Sequence, residues 1–294
     1  MKGTHPKVEN LPQLAYFHRP YTIEGWSRAG IQSYWRIPEL GICFDLGGIP
    51  WNFHQSSHWF ISHPHIDHLA ALPMLLARRM MMRMPPPKVY VPHGVVGGVQ
   101  HVIDAWKAID HGDLACDLIG ISPNDNIAID DMRVVRAFPT EHPVESCGYL
   151  VSEKRHRLRA EFRNLPSHEL VAAKKAGSAI EEEFLVPMLC YTGDTAEGVF
   201  SAEPNLFLAK ILLIECSFLR EEHDRVKIHR FGHLHLDDFV ERADQFQNEL
   251  IILMHHTSRD EPAFFASEVK RRLPASLSSR MICWGASDPP VLIQ

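Results

Sequence analysis

Apolar runs of four to eight residues alternate with amphipathic stretches along the whole chain. Ile42-Cys43-Phe44-Asp45 reads as a strand with Gly47-Gly48 as the following turn, and residues 59–62 read as a strand that ends in a histidine-rich turn. Residues 69–82 carry apolar side chains at helical spacing and stop before Pro85-Pro86-Pro87. A short strand over 89–91, a helix over 99–109 and strands over 132–138 and 148–151 follow. The second half repeats the style, with strands over 188–192, 211–215 and 250–254 and helices over 236–247 and 262–273. Residues 154–187 break the pattern: polar, charged and strand-poor, with Ala172-Ala173-Lys174-Lys175-Ala176-Gly177 as a short helix and its stop. The pattern predicts one domain made of two αβ halves, about 30–151 and 188–294, with 154–187 as an arm standing off the core.

Composition narrows the class without naming a function. A chain of 294 residues, 45% hydrophobic and 22% charged, can bury a large core. No apolar run approaches the roughly 20 residues needed to cross a bilayer, and Met1-Lys2-Gly3-Thr4-His5-Pro6 is polar, so the cytoplasm is the expected compartment and no membrane is expected as a partner. The six cysteines are scattered with no C-x-x-C pair, which argues against a disulfide framework or a cysteine zinc site. The net charge of −6 argues weakly against bulk nucleic-acid binding and leaves room for a local basic surface.

The chemistry concentrates after the strand ends. His63-Pro64-His65-Ile66-Asp67-His68 offers three imidazoles and a carboxylate in six residues. Such a turn suits two neighbouring cations, and zinc accepts this N/O donor set. The competing reading is an exposed, histidine-rich loop. Further donors must come from other strand ends: His142 after the 132–138 strand, Asp194 in Thr192-Gly193-Asp194-Thr195, and His255 or His256 after the 250–254 strand. Each alone reads equally as a turn or capping residue. Adjacent strand residues face opposite ways, so only one of His255 and His256 can face the metals, and periodicity does not choose. Arg230-Phe231-Gly232-His233-Leu234-His235, with Glu215 at a nearby strand end, suggests a non-ligand histidine held by a carboxylate, suited to general-acid work.

These residues, in this order, resemble the metallo-β-lactamase superfamily, and within it the short form of the tRNA 3′-processing endonuclease RNase Z, nearest the plant-type enzymes. The resemblance rests on the His63–His68 motif, His142 followed by Ser146-Cys147-Gly148-Tyr149, Asp194, Ile214-Glu215-Cys216-Ser217-Phe218, the Gly232-His233 segment, and His255-His256-Thr257-Ser258-Arg259. It implies an α/β fold, a four-layer αβ/βα sandwich of two mixed sheets. It implies two Zn2+ per chain, one on His63, His65 and His142 and the other on Asp67, His68 and His255, with Asp194 bridging; Mn2+ or Fe2+ fits the same donors. Asp67 would orient or deprotonate the attacking water, His233 positioned by Glu215 would assist the leaving group, and Arg259 would contact phosphate or brace the site. The implied reaction is hydrolysis of precursor tRNA after the discriminator nucleotide by metal-bound hydroxide, in a homodimer. The arm has no Gly-Pro element, and the usual Asp-x-Gly-Glu segment reads Asp45-Leu46-Gly47-Gly48. Over 151–175 the arm carries seven Lys/Arg (Lys154, Arg155, Arg157, Arg159, Arg163, Lys174, Lys175) against three Glu, a net of +4 that predicts phosphate contacts through its first five cations in particular. The alternatives are a small-molecule phosphodiesterase or other hydrolase of the same superfamily, and a non-catalytic RNA-binding relative.

Overall fold

The computed structural model describes residues 11–293, so the polar Met1–Pro6 stretch lies outside the described residues. The strands form two sheets of seven. The first runs in sequence order through β1 (Leu14–His18), β2 (Tyr21–Arg28), β3 (Gln32–Ile37), β4 (Ile42–Phe44), β5 (His58–Phe60), β6 (Lys88–Pro92) and β7 (Asp117–Ile121). The second holds β8 (Asn126–Ala128), β9 (Arg133–Pro139), β10 (Cys147–Leu158), β11 (Glu181–Tyr191), β12 (Ile211–Glu215), β13 (Leu250–Met254) and β14 (Met281–Cys283). β4 to β7 pair in parallel, as do β11 to β14, while β1 to β4 and β8 to β11 are antiparallel meanders.

Three apolar clusters fill the three spaces between four layers. One lies between the sheets, one between the second sheet and its helices, and one between the first sheet and its helices. That is the αβ/βα sandwich, and the mixed sheets agree with the expected class. β12 and β13 are buried at every position, as strands covered on both faces must be. Aromatic rings lock the sheets face to face. Phe44 stacks on Tyr191 with centroids 4.8 Å apart, Trp35 meets Trp284 at 5.0 Å, and Tyr149 donates to the Ile61 carbonyl at 2.5 Å. Among the described residues, no helix is long and apolar enough to cross a membrane.

Besides strands that the sequence pattern does not mark (β1 to β3, β7, β8 and β14), the elements differ from it in four places. The 69–82 helix is two helices, Ile66–Leu69 and Leu72–Met81, because Pro73 lacks an N–H and starts the second one. The 236–247 helix ends at Val240, and the turns beyond it carry Phe246 into the cluster with Phe200 and Phe239. β8 to β10 hydrogen-bond into the second sheet, so the chain changes sheets between Ile121 and Asn126 rather than near 151. The arm is not strand-poor. β10 and β11 pair from Tyr149↔Tyr191 out to Leu158↔Glu181, and the helix Ser167–Lys175 caps the ribbon. Its polar sequence reflects strands that leave the core: β10 is buried up to Ser152 and largely exposed from Arg155.

Phe44 touches Phe60 on the neighbouring strand of its own sheet, and Tyr149 and Tyr191 across the sheet interface. Phe44→Ala is expected to cost about 3–5 kcal/mol of unfolding free energy, measured by urea titration, with an unchanged far-UV spectrum.

Candidate metal centre

Strand ends from both sheets meet at one edge of the sandwich. The chain leaves β5 through Ser62-His63-Pro64-His65 and turns into the helix Ile66–Leu69, which carries Asp67 and His68. From the second sheet come His142 after β9, Asp194 after β11, Glu215 at the end of β12 and His255 after β13. β11, β12 and β13 are parallel, and β9 runs in their direction two antiparallel steps away, so all four deliver residues to the same edge. The turn into Asp194 passes through Gly193 at φ 61°, where a Cβ would lie 2.5 Å from the Ser62 Cβ. Only glycine lets the two sheets approach this closely here.

The donors form two groups that share a carboxylate. His65 Nδ1 lies 3.1 Å from His63 Nε2 and 3.2 Å from His142 Nε2. His68 Nε2 and His255 Nε2 are 3.3 Å apart, with Asp67 Oδ2 at 3.7 and 3.5 Å from them. Asp194 Oδ2 stands between the groups, 3.2 Å from His255 Nε2, 3.5 Å from His68 Nε2 and 3.8 Å from His63 Nε2. A tetrahedron of metal–nitrogen bonds near 2.0 Å has edges of about 3.3 Å, so this spacing suits donors converging on a cation. Asp194 Oδ1 is buried with no hydrogen-bond partner among the described residues. A buried carboxylate oxygen left unpaired is costly, and a cation satisfies it.

Hydrogen bonds behind the rings fix which nitrogen is free. Ser62 Oγ gives its proton to Asp45 Oδ2 at 2.8 Å, so His63 Nδ1 must donate to Ser62 Oγ at 3.0 Å. His68 Nδ1 donates to Asp45 at 2.6 Å and His142 Nδ1 to the Gly232 carbonyl at 3.0 Å. His255 Nδ1 donates to Ser217 Oγ at 3.1 Å, and that hydroxyl donates to Glu215 at 2.5 Å. In these four rings Nε2 faces the centre, while His65 presents Nδ1. Partners of this kind orient metal-binding imidazoles.

The charges also ask for a cation. Burial drives His63 well below its ordinary value, with the His68 charge adding to it, so His63 is neutral and able to bind metal. Burial opposes a charge on His68 as well, yet Asp194 and Asp45 lift it well above the usual range. Burial likewise opposes ionisation of Asp67, but the His255 hydrogen bond and the His68 charge hold it at about 2. A bound cation would take over the charge that His68 carries.

His233 sits beside the donors rather than among their partners. Its Nδ1 donates to Glu215 Oε1 at 3.1 Å, and its ring stacks 5.6 Å from His255. Burial works against its charge, but the Glu215 carboxylate outweighs burial and raises it to about 9. Glu215 is fully buried and also accepts from the backbone of Thr195 at 2.7 Å and Leu234 at 3.2 Å. His256 turns away from the donors, stacks on Phe265 at 4.8 Å and is pushed down to about 3, chiefly by burial.

The structure brings together His63, His65, Asp67, His68, His142, Asp194, His255, Glu215 and His233. Arg259 lies off this group, lining a cavity with Phe218 and Phe231. The arm cations are far along the ribbon. Arg157 pairs with Glu182 at 2.8 Å, Arg155 with Glu153 at 3.1 Å, and Arg163 approaches Glu182 at 3.7 Å. The ladder thus adds Glu181, Glu182 and Glu183 to the arm, leaving six glutamates against its seven cations and a basic excess smaller than the count over 151–175 implies. A further group, Glu197–His229–Asp238, already has its charges met by Arg242 at 3.0 Å and Arg225 at 2.6 Å.

Sequence reasoning missed the supporting residues: Asp45, Ser62, Tyr191 and Ser217. Asp45 accepts from the Ser62 backbone at 2.6 Å and from the Tyr191 hydroxyl in addition to His68 and Ser62 Oγ. A signal existed, since an Asp that ends a strand before Gly-Gly tolerates the left-handed φ of 54° found here.

Residues 54–160 match the family described as a beta-lactamase superfamily domain. The chain is 32% identical over 241 residues to tRNase Z TRZ1 of Arabidopsis thaliana, covering 81% of this chain and 86% of the relative. It is 29% identical over 267 residues to the chloroplastic tRNase Z TRZ2 of the same plant, covering 89% and 74%. Among solved structures, human tRNase Z, short form, superposes with a TM-score of 0.52 at 18% identity, covering 85% of this chain and 92% of that one. The metallo-beta-lactamase fold protein YhfI of Bacillus subtilis gives 0.56 at 13% identity, with 84% and 90% covered. At these identities the structures speak for the fold.

Asp45→Asn removes the charge that holds His68 while keeping its volume. Metal affinity is expected to fall about 10- to 100-fold, read by competition with a zinc chelator, and the variant is expected to stay folded.

Proposed function

The chain belongs to the tRNase Z family of the metallo-β-lactamase superfamily, and from that premise we propose that it is an endoribonuclease that removes the 3′ trailer of precursor tRNA after the discriminator nucleotide. His63, His65 and His142 would hold one zinc ion, Asp67, His68 and His255 a second, and Asp194 both. When bound, such a pair supplies an activated water and positive charge for the phosphoryl oxygens.

The protein's own groups account for the rest of the reaction. Asp67, ionised and fixed by the Gly30 N–H at 2.9 Å, orients the attacking water. His233, protonated at neutral pH by its contact with Glu215, gives its proton to the departing 3′-oxygen as the P–O3′ bond breaks. The products are an RNA 3′-hydroxyl and a trailer 5′-phosphate. The observation that carries this reading is the Glu215–His233 pair set beside the double donor group, because an alkoxide leaving group needs a proton and this imidazole holds one.

The β10–β11 ribbon is proposed to grip the body of the tRNA, with contacts from Lys154, Arg155, Arg157, Arg159 and Arg163. Exposed Met81, Val102, Trp106 and Ile109 on the helices Leu72–Met81 and Val96–Asp110 support a homodimer. The cytoplasm is the proposed compartment, supported by six free cysteines.

Zinc-loaded protein is expected to cut a 3′-extended precursor tRNA once, after the discriminator, and Asp67→Ala to abolish the cut. His233→Ala is expected to slow precursor cleavage by about 10²- to 10⁴-fold, yet to slow bis(4-nitrophenyl) phosphate far less, because nitrophenolate leaves without a proton. Equal losses on both substrates would contradict the general-acid role. Arg159 N–H donates to the Ile180 carbonyl at 3.0 Å, so the tip between them can be replaced by a short glycine turn. That excision, combined with replacement of Lys154, Arg155, Arg157 and Arg159 by Gln, is expected to raise KM for precursor tRNA at least tenfold at low salt and by a smaller factor at higher salt, where the phosphate contacts of the wild type are themselves screened. No change would favour a small-molecule substrate.

A further inference from the structure

A cavity of about 430 Å³ adjoins the reaction centre and is not used by the chemistry described above. Its volume falls in the range of small-ligand sites, about 300–1,000 Å³. It is lined by Phe218, His223, Lys227, Phe231 and Arg259, together with two carboxylates: Glu222, which approaches Arg220 at 3.9 Å, and Asp224, which accepts from the Lys227 N–H at 3.2 Å as the cap of the following helix. Three of the walls are tied through the chain to residues of the centre. Phe218 follows Ser217, which holds His255, and its ring lies 6.1 Å from the His233 ring. Phe231 precedes Gly232, whose carbonyl holds His142, and His233 itself. Arg259 stands four residues after His255.

The chemistry of the walls is specific. Phe231 is 54% exposed, high for a large apolar side chain beside a polar centre. Phe218 and Phe231 offer ring faces, and Lys227 and Arg259 offer cations. His223 packs its ring against Phe218 at 5.4 Å, and its Nδ1 is buried with no hydrogen-bond partner among the described residues. Aromatic faces, flanking cations and one unpaired polar group match an unpaired nucleobase and its phosphate. An apolar ligand would leave the cations and His223 without partners.

We propose that this cavity holds the base of the nucleotide whose 3′-oxygen departs, stacked on Phe231, with His223 Nδ1 on the base edge and Arg259 on a neighbouring phosphate. The position follows from His233, which serves the leaving oxygen and borders the cavity through Phe218. This assignment rests on the precursor-tRNA reading and adds a source of cleavage-site choice: the base must enter the cavity before the scissile phosphate reaches the donors.

The test compares two precursor tRNAs, one with an ordinary discriminator and one with an abasic discriminator, cut by wild type, Phe231→Ala and Phe231→Tyr, with thermal melting as a check on folding. For wild type, removal of the base is expected to lower kcat/KM about 5- to 100-fold, the range that one lost base–aromatic stack covers. Phe231→Ala is expected to lose at least fivefold more on the base-bearing precursor than on the abasic one, and Phe231→Tyr to restore most of that difference. Equal losses on both precursors, or no loss on either, would overturn the cavity's role while leaving the tRNA reading intact. If wild type hydrolyses bis(4-nitrophenyl) phosphate but cuts neither precursor, the tRNA reading fails and this assignment fails with it.

Discussion

Four carboxylates and six imidazoles share the seam where the two sheets meet, and keeping them there is the constraint on which the site depends. Buried ionisable groups are costly unless each finds a partner. Asp45 accepts from Ser62, His68 and Tyr191, which come from both sheets, and Glu215 accepts from the Asp194 loop, Ser217, Leu234 and His233. These two carboxylates hold the donors by their outer atoms and leave the inner ones converging. The negative charge then remaining at Asp67 and Asp194 calls for cations.

The same strands that build the centre also build the arm. β11 begins opposite Leu158 on the ribbon and ends three residues before Asp194, so one strand links the arm to the shared carboxylate. The proposed binding by the arm and alignment at the centre would thereby share one continuous strand, as positioning of a large substrate requires. The cavity beside His233 is joined to the centre in the same way, through Phe231-Gly232-His233.

Much of the centre was legible in the sequence because its donors sit at strand ends, where short apolar runs mark the boundary. His63, His65, Asp67 and His68 fall within one turn, and the later donors each follow a clear strand. The choice of His255 over His256 was not legible from periodicity; it depends on a φ of 56° at His255 and on Ser217, neither visible in the pattern. Asp45 and Tyr191 were overlooked because their roles need a partner from the other sheet. The arm was misread as strand-poor because a ribbon that leaves the core loses its apolar alternation, and its apparent basicity shrank once the ladder brought Glu181 to Glu183 opposite the arginines. β1, β2, β3, β7, β8 and β14 leave no mark in the pattern because they are short or half-exposed; β1 to β3 pair as local hairpins, while β7 and β14 pair with neighbours distant in sequence.

The most direct test of the account is anomalous scattering from zinc in crystals of the protein. It predicts two peaks, one enclosed by His63, His65 and His142 and the other by Asp67, His68 and His255, with the Asp194 carboxylate between them. A single peak, or zinc at Glu197–His229–Asp238 in place of this seam, would contradict it.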